Sequence, residues 1–168
     1  MAKILEYAKH MDEVIERLSG NGVFLSSSYN GVINTMTIGW AGFGIIWSKP
    51  VAIVAVRYTR HTYELINKSG VFTISVPTSN VLKKELAFCG SRSGRDYDKL
   101  KETGLTPVKG RKVDAPVIGE CGMHFECQVI YKQAMEPALI DAKIDERFYK
   151  GNDFHVLFYG EIIDNYSF

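Results

Sequence analysis

The chain has 168 residues, 46% apolar and 23% charged, enough for one domain to bury a core without disulfides or metals. Its formal net charge is +1, from 20 basic and 19 acidic residues, which leaves no excess positive charge for nucleic acid or an anionic membrane. No apolar run reaches the ~18 residues of a membrane span, and Met1 to His10 carries charges and lacks the apolar core of a signal peptide, so a cytoplasmic protein is expected.

His10 to Ser19 places Met11, Val14, Ile15 and Leu18 at helical spacing, and Gly20-Asn21-Gly22 ends that helix. Val23 to Ser28 reads as a strand. Asn30-Gly31 then supplies the two positive-φ positions of a type I′ hairpin turn, and Val32 to Trp40 is the return strand. On it Met36, Ile38 and Trp40 share one parity with the polar Asn34, while Thr35 and Thr37 face the other way. Gly39-x-x-Gly42-x-Gly44 reads as a bend or bulge beside Trp40 and Phe43.

Pro50 to Tyr58 is a third strand whose apolar run, Val51 to Val56, predicts burial on both faces. Thr62 is the expected N-cap of a helix over Tyr63 to Lys68, terminated by Gly70. Val71 to Val76 is a fourth strand, closed by Pro77. Asn80 is the expected cap of a helix from Val81 to Cys89 that Gly90 ends. Asp96 to Glu102 forms the next helix, capped by Gly104. Gly122 to Tyr131 and Phe154 to Ile163 are strands, and Ala138 to Arg147 fits neither pattern clearly. No repeat or linker appears, so residues 1–168 are expected to form a single domain. The sum is mainly β: about six strands in a closed antiparallel barrel with helical insertions, not a doubly wound parallel sheet.

Familiar nucleotide and nucleophile motifs are absent: there is no Walker sequence, no G-x-G-x-x-G after a strand and no G-x-S-x-G elbow. His10, His61, His124 and His155 are scattered, with no metal-ligand spacing. Cys89, Cys121 and Cys127 make an odd count, which argues against a disulfide framework, and their apolar surroundings predict inert buried thiols. Two segments look like phosphate grips. Arg57-Tyr58-Thr59-Arg60-His61-Thr62 ends a strand and opens a helix, where backbone N–H groups, the helix dipole and arginine favour an anion. Ser91-Arg92-Ser93-Gly94-Arg95 repeats that chemistry just before another helix. Either segment alone reads more simply as a solvated loop with capping hydroxyls. Two in one small domain, beside Asn34 on an apolar strand face, narrow the gap between the readings.

These residues resemble the flavin reductase-like family of FMN-binding split-barrel proteins, particularly its flavoredoxin-like branch. The resemblance rests on the order of Asn30 to Trp40, Ser48-Lys49-Pro50, Arg57 to Thr62, Phe72 to Val76, Ser91 to Lys99 and Phe154 to Glu161. It implies a homodimer of antiparallel Greek-key split barrels with FMN near the interface. It implies that Asn34, Thr35, Met36, Thr37 and Ile38 line the isoalloxazine, with the side chains of Asn34 and Thr37 and the backbone of Met36 and Ile38 on its polar edge. Arg57, Thr59 and Thr62 would then reach the ribityl chain and phosphate, and Ser91, Ser93, Arg95 or Lys99 would complete that grip. Trp40 is assigned to the barrel core in preference to flavin stacking. His155 is at least as readily structural as a group near the flavin.

The function so implied is an FMN oxidoreductase that passes electrons from NADH or NADPH to a flavin, a metal complex or a redox partner protein. No separate nicotinamide motif is present, which leaves the donor open. A carrier with tightly held FMN, reduced by another protein, is the second reading. A barrel for another planar ligand such as haem, or a simple interaction module, is the third.

Overall fold

The computed structural model describes residues 7–79 and 82–167. A 3₁₀ turn at Tyr7–His10 leads into helix α1, Met11–Ser19. Then come strands β1 (Val23–Tyr29), β2 (Val32–Ile38), β3 (Ala41–Ile46) and β4 (Lys49–Arg57). Helix α2 (His61–Ser69), strand β5 (Val71–Val76), and helices α3 (Lys83–Ser91) and α4 (Lys99–Thr103) follow. The short strands β6 (Pro107–Lys109) and β7 (Pro116–Ile118) precede the long β8 (Met123–Ala134). A 3₁₀ turn at Pro137–Leu139, helix α5 (Ala142–Phe148) and β9 (His155–Ser167) complete the described chain.

Seven strands form one antiparallel sheet in the order β2-β1-β5-β8-β9-β4-β3, and β6 and β7 pair separately. The main sheet therefore has one strand more than the sequence predicts. The extra one is β3, which the glycine pattern disguises as a bend. Gly42 and Gly44 lie on a sheet edge, where an added Cβ would meet nothing, so the strand forms without side chains there. Asn30 and Gly31 have φ of 49° and 78°, as a type I′ hairpin requires. Trp47 and Ser48, with φ of 51° and 58°, turn β3 into β4 the same way.

The main core lies on one side of the coiled sheet, and a second buried cluster of Phe24, Leu86, Cys89, Leu105 and Ile118 packs separately from it. Ala52, Val54 and Val56 of β4, Phe72 and Ile74 of β5, Phe125 and Cys127 of β8, and Phe158 of β9 are buried in the main core with Val14 and Leu18 of α1. Ile15 shares the helical spacing but faces solvent. β4 alternates between buried and half-buried residues, so one of its faces is less covered than the apolar run suggests. Register shifts at Glu126/Cys127 and Val129/Tyr131 bend β8 against β9. Gly160 of β9 lets Phe72 cross close by: an added Cβ would lie 2.5 Å from its Cζ.

Several helix ends differ from the sequence reading. α2 starts two residues earlier, with Arg60 at the N-cap, because the Thr62 hydroxyl accepts from Asn34 Nδ2 at 2.8 Å instead of capping the helix. α3 runs through Gly90 to Ser91, and the expected cap Asn80 and first residue Val81 lie outside the described residues. α4 starts at Lys99 instead of Asp96, and the Asp98 carboxylate caps it, accepting from the Lys101 N–H at 3.2 Å. The ambiguous stretch after β8 resolves into the second 3₁₀ turn and α5. Among the described residues no helix is long and apolar enough to cross a membrane.

Candidate functional site

The hairpin strand β2 lies at one edge of the sheet, and three pieces of chain meet its outer side: the β4–α2 turn, the end of α3 and the loop before α4. Between them is an enclosed cavity of about 50 Å³. Asn34 and Met36 form its strand wall, Thr59 to Thr62 its helix wall, and Gly90, Arg92, Ser93 and Gly94 its roof. The first turn of α2 lines it, and no side chain caps that turn. Uncapped N–H groups at a helix N-terminus favour an anion, and Arg60 and Arg92 add positive charge to the same walls.

Two glycines bring the roof down. An added Cβ at Gly90 would press on Thr37 at 3.3 Å, and one at Gly94 would overlap the Asn34 carboxamide. Lys99 is buried, and its Nζ donates to the Thr35 carbonyl at 3.0 Å and the Cys89 carbonyl at 2.7 Å. It thereby ties β2 to α3, and burial pulls its pKa down to about 8. Arg95 spans the outside of the roof, donating to the Thr59 carbonyl at 2.9 Å and pairing with Glu64 of α2. Arg95 heads the causes that hold the Glu64 carboxyl below its ordinary range.

A groove of about 200 Å³ adjoins this cavity, sharing Met36 and Arg60 with it. Thr37 to Trp40 and Ala55 line one side, Arg57 and His155 the other. Trp40 is 43% exposed here, so the expectation that it packs in the core is corrected. As β2 ends at Ile38, Trp40 falls past the strand and turns outward against Phe148, with ring centroids 5.0 Å apart, and His155, 4.9 Å away. His155 is buried beside Arg57, its cross-strand partner, and its Nδ1 lies 2.8 Å from the Tyr149 hydroxyl. Burial first, then the Arg57 charge, pushes its pKa down to about 4, so it is neutral at pH 7.

The structure distributes the expected site residues over several roles. Asn34, Thr59, Thr62, Ser93 and Lys99 border the enclosed cavity, Thr37, Ile38 and Arg57 the groove, and Met36 both. Asn34 is thus parted from the groove and joined to the helix wall through Thr62. The Thr37 hydroxyl donates to the Leu86 carbonyl at 2.6 Å. Thr35 is fully buried, its hydroxyl accepting from Ser26 at 3.0 Å, and only its carbonyl reaches the site, through Lys99. Arg57 donates at 2.9 Å to the carbonyls of both Asp153 and Phe148, and the Thr59 hydroxyl donates to the Asp153 carboxylate at 2.9 Å. Both residues therefore anchor the turn after α5. Ser91 bonds back to the Ala87 carbonyl at 2.8 Å and lines neither space.

Sequence reasoning missed the anchor Asp153 and the way the Tyr149–His155 pair backs the groove, and it placed Arg60 in a basic segment without a role of its own. Asp153 and Lys150, with φ of 49° and 51°, hold left-handed conformations that no sequence signal in Lys150-Gly151-Asn152-Asp153 announces beyond its glycine. Cys89, Cys121 and Cys127 are buried, and burial raises each thiol pKa, that of Cys89 to about 11. Among the described residues no three His, Cys, Asp or Glu side chains gather closely enough to hold a metal ion.

An enclosed cavity with cationic walls lies next to a shallow groove, the two sharing Met36 and Arg60, at the edge of an antiparallel split-barrel sheet. Residues 16–166 match the model of the flavin reductase like domain, and the chain belongs to that family. It is 32% identical to the flavoredoxin of Desulfovibrio vulgaris (Miyazaki F), with a TM-score of 0.68 over 88% of this chain and 69% of that one. It is 28% identical to a flavoredoxin from Methanosarcina acetivorans, with a TM-score of 0.68 over 87% of this chain and 67% of that one. An uncharacterised protein of Archaeoglobus fulgidus is 35% identical over 97 residues, 58% of this chain and 54% of that protein. The match thus spans about half the length of that archaeal relative.

Proposed function

We propose that this chain binds FMN and passes electrons from NADH or NADPH through it to an acceptor: a flavin, a metal complex or a protein. The observation that carries the reading is the adjacency of the enclosed, cationic cavity and the open groove, which share Met36 and Arg60. The family assignment and the two flavoredoxin relatives support a flavin over other planar ligands.

The residues present fit that group. The phosphate would meet the first turn of α2, Ser93, Arg60 and Arg92, where helix N–H groups and guanidinium charge act together. The ring would lie along Thr37 to Trp40. Because Thr37 gives its hydroxyl to Leu86, the outward backbone groups of the β2 edge are the main donors on that wall. When bound, the flavin supplies the redox chemistry, and the protein holds and tunes it. Arg57, fixed by the turn after α5, puts positive charge at the groove, and neutral His155 lies beside it. That field favours an electron-rich ring.

The test is an absorption spectrum of the purified protein before and after anaerobic NADH or NADPH. Flavin bands that bleach with either nucleotide support the oxidoreductase. Bands that persist with both favour the carrier, a reading supported by the likeness to two flavoredoxins. A colourless protein that ignores added FMN refutes both, and a Soret band would point to haem instead. The proposal extends to a homodimer. Leu139, 83% exposed, and Ile144 of α5 form an apolar face next to Phe148, which packs on Trp40 at the groove. A monomer in light scattering that still binds FMN would refute that part.

A further inference from the structure

We infer that the contact between Asn34 and Gly94 seals the phosphate end of the site, so that it accepts a ligand ending in a phosphate monoester and excludes one that continues into a dinucleotide. The inference rests on the FMN reading above and names the residues that set its selectivity.

The enclosed cavity is bounded at one end by Asn34, Gly94 and Lys99. The same three residues line a much larger open cleft of about 690 Å³ on the other side, with Ile33, Tyr97 and Leu105. The two spaces are therefore separated by a wall one residue thick. At its centre the Gly94 backbone packs so closely on Asn34 that an added Cβ would sit 2.6 Å from the Asn34 Cγ. A terminal phosphate can end against this wall. A pyrophosphate would have to run through it to place an adenosine in the cleft beyond.

The wall is held from both faces. Asn34 is buried and fixed by its 2.8 Å bond to Thr62 of α2. Gly94 is fixed by its neighbours: the N–H groups of Asp96 and Tyr97 both donate to the Ser93 carbonyl at 3.1 Å. Arg95 clamps the same loop to Thr59 at 2.9 Å and to Glu64. Lys99 closes the lower corner through its bonds to Thr35 and Cys89. Moving the seal aside breaks several of these bonds at once, which gives it stiffness as well as bulk.

The experiment titrates the full chain with FMN, FAD and riboflavin by quenching of flavin fluorescence. FMN should bind roughly 50-fold tighter than FAD, the scale set by forcing extra atoms into a packed wall. Riboflavin should also bind more weakly than FMN, because the cavity is left without its anion. Asn34→Ala removes the carboxamide from the wall and should narrow the FMN-to-FAD ratio to less than about 5-fold. Asn34→Ser, smaller but still polar at the wall, should narrow it in the same direction, and serves if the alanine variant does not fold. Equal affinity for FMN and FAD in the wild type, or an unchanged ratio in the folded variant, overturns the seal while leaving flavin binding intact. Riboflavin binding as tightly as FMN overturns the phosphate placement and the seal with it. No binding of any of the three overturns the flavin reading itself.

Discussion

Glu126 offers the sharpest test of how this fold is held together. Its side chain is fully buried on β8, under the loop between β6 and β7. One carboxylate oxygen accepts from the Arg111 N–H at 2.6 Å and the Tyr166 hydroxyl at 2.7 Å. The other accepts from the N–H groups of Lys112 and Val113, at 2.7 Å and 2.9 Å. Burial pushes the carboxyl pKa up, but these bonds together outweigh it and hold the group below its ordinary value. Glu126→Gln keeps the shape and replaces one oxygen by an NH2 group. The cheaper orientation turns that group toward Tyr166, whose hydroxyl can rotate to accept, and it costs the Arg111 N–H its acceptor. One lost charge-assisted bond, plus the weakening of the rest from charged to neutral, amounts to about 3 kcal/mol. For a domain of this size that lowers Tm by roughly 6–12 °C. The pH dependence has a definite sign. A carboxyl whose folded pKa is depressed contributes stability above its unfolded pKa, and that stability is lost as pH falls through the folded pKa. Thermal unfolding followed by circular dichroism at pH 7 and at pH 4 should therefore show the wild type and the variant converging in acid. A variant within ~2 °C of wild type at pH 7, on the same size scaling, would refute the account of this carboxylate as the peg of the loop.

Other expectations can be measured separately. Thr62→Ala, which releases Asn34, and Arg57→Ala, which removes positive charge from the groove, should each weaken FMN binding by about 10-fold, while exposed Lys68→Ala leaves it unchanged; equal effects in a fluorescence titration would contradict the placement. Gly160→Ala should destabilise the protein by about 1–3 kcal/mol, because its Cβ would lie 2.5 Å from Phe72 Cζ and 2.7 Å from Cys127 Cβ; an unchanged Tm would mean the sheet crosses there less tightly. His124 and His155, both pushed down to about 4 by burial, should stay neutral in the folded protein through pH 5 in an NMR titration. The unfolded chain takes up those protons first, so stability should fall as pH drops from the ordinary histidine range toward 4. Imidazole midpoints near 6.5, the ordinary value, would refute the burial argument.

How much of this was legible in the chain follows from the range of each interaction. Asn30-Gly31, the alternation in β2 and β5, and Gly70 and Gly104 as left-handed helix ends are local, so the residues themselves specify them. The two basic segments were visible too, because an anion site at a helix start needs only a few neighbouring residues. β3 was hidden, since its glycines carry no strand signal and form a strand only through pairing with β4. Thr62 illustrates the limit in one residue. Its position predicts a cap, yet its hydroxyl accepts from Asn34, 28 residues earlier, and the N-cap falls at Arg60. Arg57 and Lys99 read as free cations for a ligand, but their donors go to carbonyls at Phe148 and Asp153, and at Thr35 and Cys89. The sequence by itself determined the β class, the hairpin and the chemical character of the site. Only the tertiary structure decided which of those polar groups face the cavity and which are consumed in building it, because hydrogen bonds between distant segments form after the sheet has brought them together and leave no periodic trace in the chain.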